Sequence, residues 1–209
     1  MVGLAGKSAC LSRNGRGGIG SVLRSSLIEA GVTLVADTET PTAVHFAICT
    51  AGKMLVRDPG ELEEAEIQQL YEANYLYPRL FTERHIRSMR KVGRGGVILH
   101  IGSNAALYGN VGAADYAAMK SALGKYLELR GRSVRGDGIR LSLMNVGAVA
   151  TEFWEKVAKT ADQGLLSEIR PALDKALTPG EVSDMLLAVL QMPERLVMKE
   201  ALVLSVDYQ

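Results

Sequence analysis

Short apolar runs rich in β-branched residues alternate along the chain with longer segments whose apolar positions recur every three to four residues. The runs predict strands at about 7–12, 32–36, 43–50, 97–101, 139–144 and 201–206. The longer segments predict helices at about 19–30, from 59 through 71 and on to Met89, at 113–132, and with mixed character over 151–177. Gly31 stops the first helix, and Thr178 with Pro179 and Glu181 forms a capping box for the last. Strand and helix taking turns in this way predict a three-layer α/β fold, a mostly parallel sheet with helices on both faces. No repeat, linker or low-complexity tract interrupts the pattern, so one domain over 1–209 is expected.

Two features of that pattern carry chemistry. The first predicted strand ends in Asn14-Gly15-Arg16-Gly17-Gly18-Ile19-Gly20, immediately before a helix. A pyrophosphate must reach backbone N–H groups at a helix N-terminus, and side chains there would block it. Gly15, Gly17 and Gly20 satisfy the GxGxxG spacing, and Asp37 ends the next strand, where an acid accepts hydrogen bonds from an adenosine ribose and favours NAD over NADP. The second feature is Tyr116 and Lys120, four apart on one helical face, with Ser103 at the C-terminal end of an apolar strand. A phenol exchanges the proton of a carbinol near neutral pH if a nearby ammonium lowers its pKa, and a serine hydroxyl can hold the substrate oxygen beside it. Composition alone produces Tyr-x-x-x-Lys pairs often, so the pair gains its weight from Ser103 and the glycine turn.

Composition narrows the partners. The 24 Lys+Arg against 23 Asp+Glu leave a net charge of +1, so no field recruits nucleic acid or an anionic membrane. No apolar stretch is long enough to span a bilayer and the N-terminus lacks a signal pattern, so a cytoplasmic location is expected. Cys10 and Cys49 sit in apolar runs and read as buried thiols. His45, His85 and His100 fit no metal spacing, and no metal is expected.

Along nearly its whole length the chain resembles the short-chain dehydrogenase/reductase family. Tyr116-Ala-Ala-Met-Lys120 with Ser103 is similar to that family's catalytic core, Asn74 in YEANYLYP to its helix asparagine, and Cys49-Thr50-Ala51-Gly52 to its Asn-Asn-Ala-Gly turn. The segment Val146-Gly147, with Val149 and Thr151, is similar to its Pro-Gly stretch with a following threonine. The resemblance implies an oxidoreductase that moves a hydride between a nicotinamide cofactor, NAD or else NADP, and an alcohol or ketone. Tyr116 would exchange the proton, Ser103 position the oxygen, Lys120 lower the tyrosine pKa and bind ribose, and Asn74 support a water-linked relay. The cofactor would lie on Asn14, Gly15, Gly17, Gly18, Ile19, Gly20, Asp37, Ala51, Gly52, Tyr116, Lys120, Gly147, Val149 and Thr151.

The resemblance also implies a homodimer or homotetramer built on the helices near 74–89 and 113–132, where Ala113, Ala114, Ala117, Ala118, Ala122 and Gly124 allow close approach. An epimerase or dehydratase of the same fold, or a binding protein without turnover, are the rival readings. Arg13-Asn14 replace the family's usual Thr-Gly, and only residues 38–43 separate Asp37 from the next strand, where the family has a helix and a third strand. Both are expected to be missing. A direct path across the first strand demands a nearly straight connection; otherwise the second strand is displaced or reversed. Weak cofactor binding is the expected cost.

Overall fold

The computed structural model describes residues 2–109 and 111–207. Six parallel strands form one sheet: β1 (Ser8–Leu11), β2 (Thr33–Val35), β3 (Phe46–Cys49), β4 (Gly96–Ile101), β5 (Ile139–Val146) and β6 (Glu200–Val203), in the order β2-β1-β3-β4-β5-β6. Their two-residue alternation supplies two cores. Ala9, Leu11, Phe46, Ile48, Val97, Leu99 and Ile101 face α1 (Gly18–Glu29) and α7 (Pro179–Leu190). Cys10, Ala47, Cys49 and Ile98 face α3 (Tyr77–Lys91) and α4 (Ala114–Ser133). Between β2 and β3 there is no further helix or strand, as the spacing after Asp37 predicts.

Residues 36–45 carry the chain directly from β2 to β3, and β2 stays parallel to β1, Ser8 opposite Thr33. Side chains hold this short connection at several points. Arg84 on α3 pairs with Glu39 at 2.8 Å, Ser88 donates to the Pro41 carbonyl at 2.8 Å, and the Ser8 N–H donates to His45 Nδ1 at 3.0 Å. The predicted helix from 59 divides into a turn at Pro59–Glu61 and α2 (Glu64–Tyr71), followed by a π-helical turn at Glu72–Leu76 that leads into α3. The mixed stretch over 151–177 separates into α5 (Glu152–Ala158) and α6 (Gln163–Leu173). Thr178 and Glu181 make the expected capping box on α7.

The two cysteines are buried as free thiols, and burial pushes Cys10 up to about 12. Burial holds His100 down at about 3 and His85 at about 4, so both are neutral core side chains. Among the described residues no helix is long and apolar enough to cross a membrane.

Candidate active site

At the C-terminal ends of the strands lies a cleft of about 350 Å³. Ser103, Tyr116 and Lys120 all line it. The fold brings them there separately: Ser103 follows β4 and caps the turn Asn104–Ala106, its Oγ accepting from the Ala105 N–H at 3.2 Å, while Tyr116 and Lys120 stand one turn apart on α4. The Lys120 ammonium donates to the Ile101 carbonyl at 3.2 Å and lies 5.7 Å from the centre of the Tyr116 ring.

Burial raises the Tyr116 pKa, and a hydrogen bond with Ser103 offsets this in part. Burial lowers Lys120 to about 8. The expected lowering of the tyrosine by Lys120 is therefore not what governs the protein itself. Desolvation wins at both groups, and Tyr116 is a protonated phenol at neutral pH, suited to giving a proton.

Asn74 is buried in the π-helical turn and does not line the cleft. Its Oδ1 accepts from the Lys53 N–H at 3.1 Å, and its Nδ2 donates to the carbonyls of Lys53 at 2.7 Å and Leu70 at 2.9 Å. Gly52 joins it to the lysine: a Cβ placed there would stand 3.3 Å from both Asn74 Oδ1 and Lys120 Nζ. A side chain there would press on both.

The glycine turn opens onto the same cleft. Gly17, Gly18, Ile19 and Gly20 line it, together with Ala51, Gly52, Gly147, Val149 and Thr151. Gly17 precedes α1 without a side-chain cap, so the first helical N–H groups lack intrahelical acceptors. With φ at +78° and open space where a Cβ would be, Gly17 leaves those donors accessible to a phosphate, and the residues present fit a dinucleotide. Asn14 and Gly15 lie behind the turn rather than in the cleft; a Cβ on Gly15 would meet the Gly20 carbonyl and Leu11 at 2.8 Å.

Asp37 is not among the residues that line the cleft, and its carboxylate is engaged by the scaffold rather than left free for the ribose it was expected to read. Its Oδ2 accepts from the Arg13 N–H at 2.8 Å and from the Tyr77 hydroxyl at 2.5 Å. The other oxygen, Oδ1, has no hydrogen bond, is closed to solvent and lies 3.6 Å from Arg84, the two side chains being 8% and 7% exposed. The shortened connection explains the change, since it leans toward α3 and carries Asp37 with it. In its place Arg13 and Arg16 line the cleft; among the described residues neither guanidinium forms a salt bridge, and that of Arg13 lies 5.1 Å from the centre of the Tyr77 ring.

Sequence reasoning missed both arginines as cleft residues. It also missed Asn145 on β5, whose buried Oδ1 accepts from the Ser103 N–H at 3.1 Å and whose Nδ2 donates to Glu200 at 2.6 Å. Asn145 shares β5 with Arg140 and Ser142, so polarity within the strand did not single it out. The far wall is apolar: Met54, Ala105, Phe153, Trp154 and Ile169 line it.

A profile of the short chain dehydrogenase family matches residues 28–162. The 3-oxoacyl-(acyl-carrier-protein) reductase FabG of Salmonella typhimurium is 27% identical over 168 residues, 80% of this chain and 64% of that protein. Carbonyl reductase family member 4 of Danio rerio is 26% identical over 159 residues, 74% and 62% of the respective chains. The chain thus spans under two thirds of the length of these relatives. A crystal structure of a short-chain type dehydrogenase/reductase from Mycobacterium marinum superposes with a TM-score of 0.80 at 20% identity, covering 98% of this chain and 96% of the other. At that identity the likeness is one of fold.

Proposed function

Since the chain belongs to the short-chain dehydrogenase family, we propose that it reduces a ketone to a secondary alcohol with a nicotinamide dinucleotide, NADPH in preference to NADH. What supports this reading above all is the meeting of Ser103, Tyr116 and Lys120 in one cleft with the uncapped N-terminus of α1. When bound, the dinucleotide supplies the hydride. Ser103 Oγ holds the carbonyl oxygen, and the Tyr116 hydroxyl gives that oxygen its proton as the carbon is reduced. Lys120 keeps positive charge beside the phenol that the proton leaves, and binds ribose hydroxyls. Asn74, fixed on the Lys53 backbone, holds the approach to Lys120 through which the proton is replaced.

Arg13 and Arg16 favour the phosphorylated cofactor. A 2′-phosphate brings negative charge to an end of the cleft where the nearby acid is already engaged. The apolar wall suits a substrate whose carbonyl is flanked by hydrocarbon, and the FabG relatives make 3-oxoacyl esters and thioesters the first compounds to test. Loss of NADPH absorbance with such compounds, abolished by several orders of magnitude in Tyr116→Phe with cofactor affinity kept within about threefold, is the expected result. Cofactor binding without turnover on any ketone or alcohol would point instead to a binding protein. Self-association is expected through the exposed stripe Ala114, Ala118 and Ala122 on α4, whereas Ala113 is buried. Sedimentation showing only a 22.5 kDa species at micromolar concentration would count against it.

A further inference from the structure

Residues 52–57, the strap that follows β3, touch the acid/base group at one end and the substrate wall at the other. Gly52 lies against Asn74 and Lys120, Lys53 makes two backbone hydrogen bonds to Asn74, and Met54 lines the cleft. Two residues on, the Val56 carbonyl accepts from the Asp162 N–H at 2.8 Å, and the Arg57 N–H donates to the Gly112 carbonyl at 3.0 Å. The Arg57 side chain then reaches in two directions. Its Nε donates to the Thr160 carbonyl at 3.2 Å, and its Nη1 pairs with Glu66 at 2.9 Å.

Both targets matter for the site. Thr160 and Asp162 lie in the connection between α5 and α6, and α6 brings Leu166 and Ile169 into an apolar cluster with Met54, Val56, Ala113 and Tyr116. Glu66 also accepts from the Glu63 N–H at 3.2 Å, which fixes the start of α2, and α2 runs directly into the turn that carries Asn74. Arg57 reaches the carbonyl and the carboxylate through two different nitrogens, Nε and Nη1, where a lysine offers a single nitrogen.

We propose that Arg57 is a positioning residue that seats the α5–α6 segment over Tyr116 and ties that seat to the helix bearing Asn74. Capture of the substrate depends on it, and proton transfer does not. The link to substrate rests on the reductase reading; the seat itself does not. Arg57 lies outside the cleft lining, and the backbone hydrogen bonds of Val56 and Arg57 survive its replacement, so a variant isolates the side chain.

The test measures hydrogen exchange over residues 158–166 and steady-state kinetics with NADPH and ethyl acetoacetate, in the full chain. In Arg57→Ala, exchange over 158–166 is expected to quicken by about tenfold, and KM for the ester to rise by about five- to tenfold. The same variant should keep kcat within about threefold and NADPH affinity within about twofold. Arg57→Lys falls between. Glu66→Gln, which keeps the cap on α2 and loses the charge, shifts both readings the same way by about twofold and serves if Arg57→Ala does not fold. Unchanged exchange in a folded Arg57 variant overturns the seat. Faster exchange with an unchanged KM overturns its role in capture. A wild-type protein that turns over no ketone overturns the reductase reading and the capture role with it, while exchange still decides whether Arg57 seats the segment.

Discussion

Arg13 and Asp37 hold each other in place: the Arg13 N–H donates to Asp37 Oδ2 at 2.8 Å, and the neighbouring Asn14 side chain accepts from the Asp37 N–H at 2.9 Å. Arg13 and Asn14 both have positive φ, 51° and 58°, a conformation that costs roughly 1 kcal/mol or more for each residue with a Cβ. The reciprocal hydrogen bonds offset that cost. A residue placed by its strand to read a ribose thereby becomes part of the scaffold of the glycine turn. Tyr77 completes the arrangement, since burial and the adjacent carboxylate both push its phenol upward and keep it a donor.

Arg13 and Arg16 make their end of the cleft basic, and on the proposed reading cofactor choice follows from them. Calorimetric titration is expected to show NADPH binding tighter than NADH by about tenfold or more, with Arg13→Ala bringing the two within about threefold. The substitution leaves the Arg13 backbone N–H, and hence the hold on Asp37, intact. Asp37→Ala is the complementary variant: it takes the acceptor from the Tyr77 hydroxyl and one of two carboxylates from Arg84, which keeps Glu39, so about 1–3 kcal/mol of stability should be lost in denaturant titration. Equal affinity for the two cofactors, or a stable Asp37→Ala protein with weakened NADH binding, would return Asp37 to the ribose.

Much of this was readable before the fold was known, and the exceptions have physical causes. The order of strands and helices followed from apolar periodicity, which burial on both faces of a parallel sheet enforces locally. Ser103, Tyr116 and Lys120 were legible because each occupies a fixed place on an element, a strand end or one helix face. The role of Asp37 was not, because it depends on where a helix-free connection leans and on Tyr77 and Arg84, some 40 or more residues away. Asn145 was hidden for a similar reason. Its partner Ser103 lies 42 residues earlier, just past the end of the neighbouring strand β4, and only the β4–β5 register brings them together. The division of 151–177 into α5 and α6 could not be placed from its mixed periodicity.

Lys120 illustrates activity and stability pulling apart. Its ammonium is buried with one carbonyl acceptor, and the lowering from 10.5 to about 8 corresponds to about 3 kcal/mol of unfavourable burial. Lys120→Met should abolish turnover yet raise the melting temperature by about 3–6 °C at pH 7. In the wild type the sign is set by the depressed folded-state pKa. Between about pH 8 and pH 10 the unfolded chain holds a proton on this lysine that the native chain has released, so the contribution of Lys120 to stability rises with pH across that window. Ketone reduction moves the other way, falling as pH climbs through about 8 and the charge beside Tyr116 disappears. A melting temperature lowered by Lys120→Met would show that the ammonium stabilises the fold.

Gly102 tests whether the placement of Ser103 depends on Asn145. A Cβ on Gly102 would stand 1.9 Å from Asn145 Oδ1 and 3.0 Å from the Asn145 side-chain carbon and from Leu143 Cδ1, too close for any side chain. In Gly102→Ala the Asn145 amide must swing away, and the buried Ser103 N–H loses its acceptor while Glu200 loses its donor. Overpacking and the unpaired N–H together should cost about 2–3 kcal/mol in denaturant titration. The catalytic effect should be confined to the substrate oxygen. With Ser103 displaced, kcat for ketone reduction falls by about tenfold or more, while NADPH affinity stays within about threefold, because the glycine turn is untouched. Asn145→Ala separates the two causes. It removes the clash and keeps the loss of the acceptor, so it should reproduce the fall in kcat at a smaller cost in stability. Should Asn145→Ala retain full kcat, the serine would be held by its own turn alone, through the Ala105 N–H, and β5 would have no part in the chemistry.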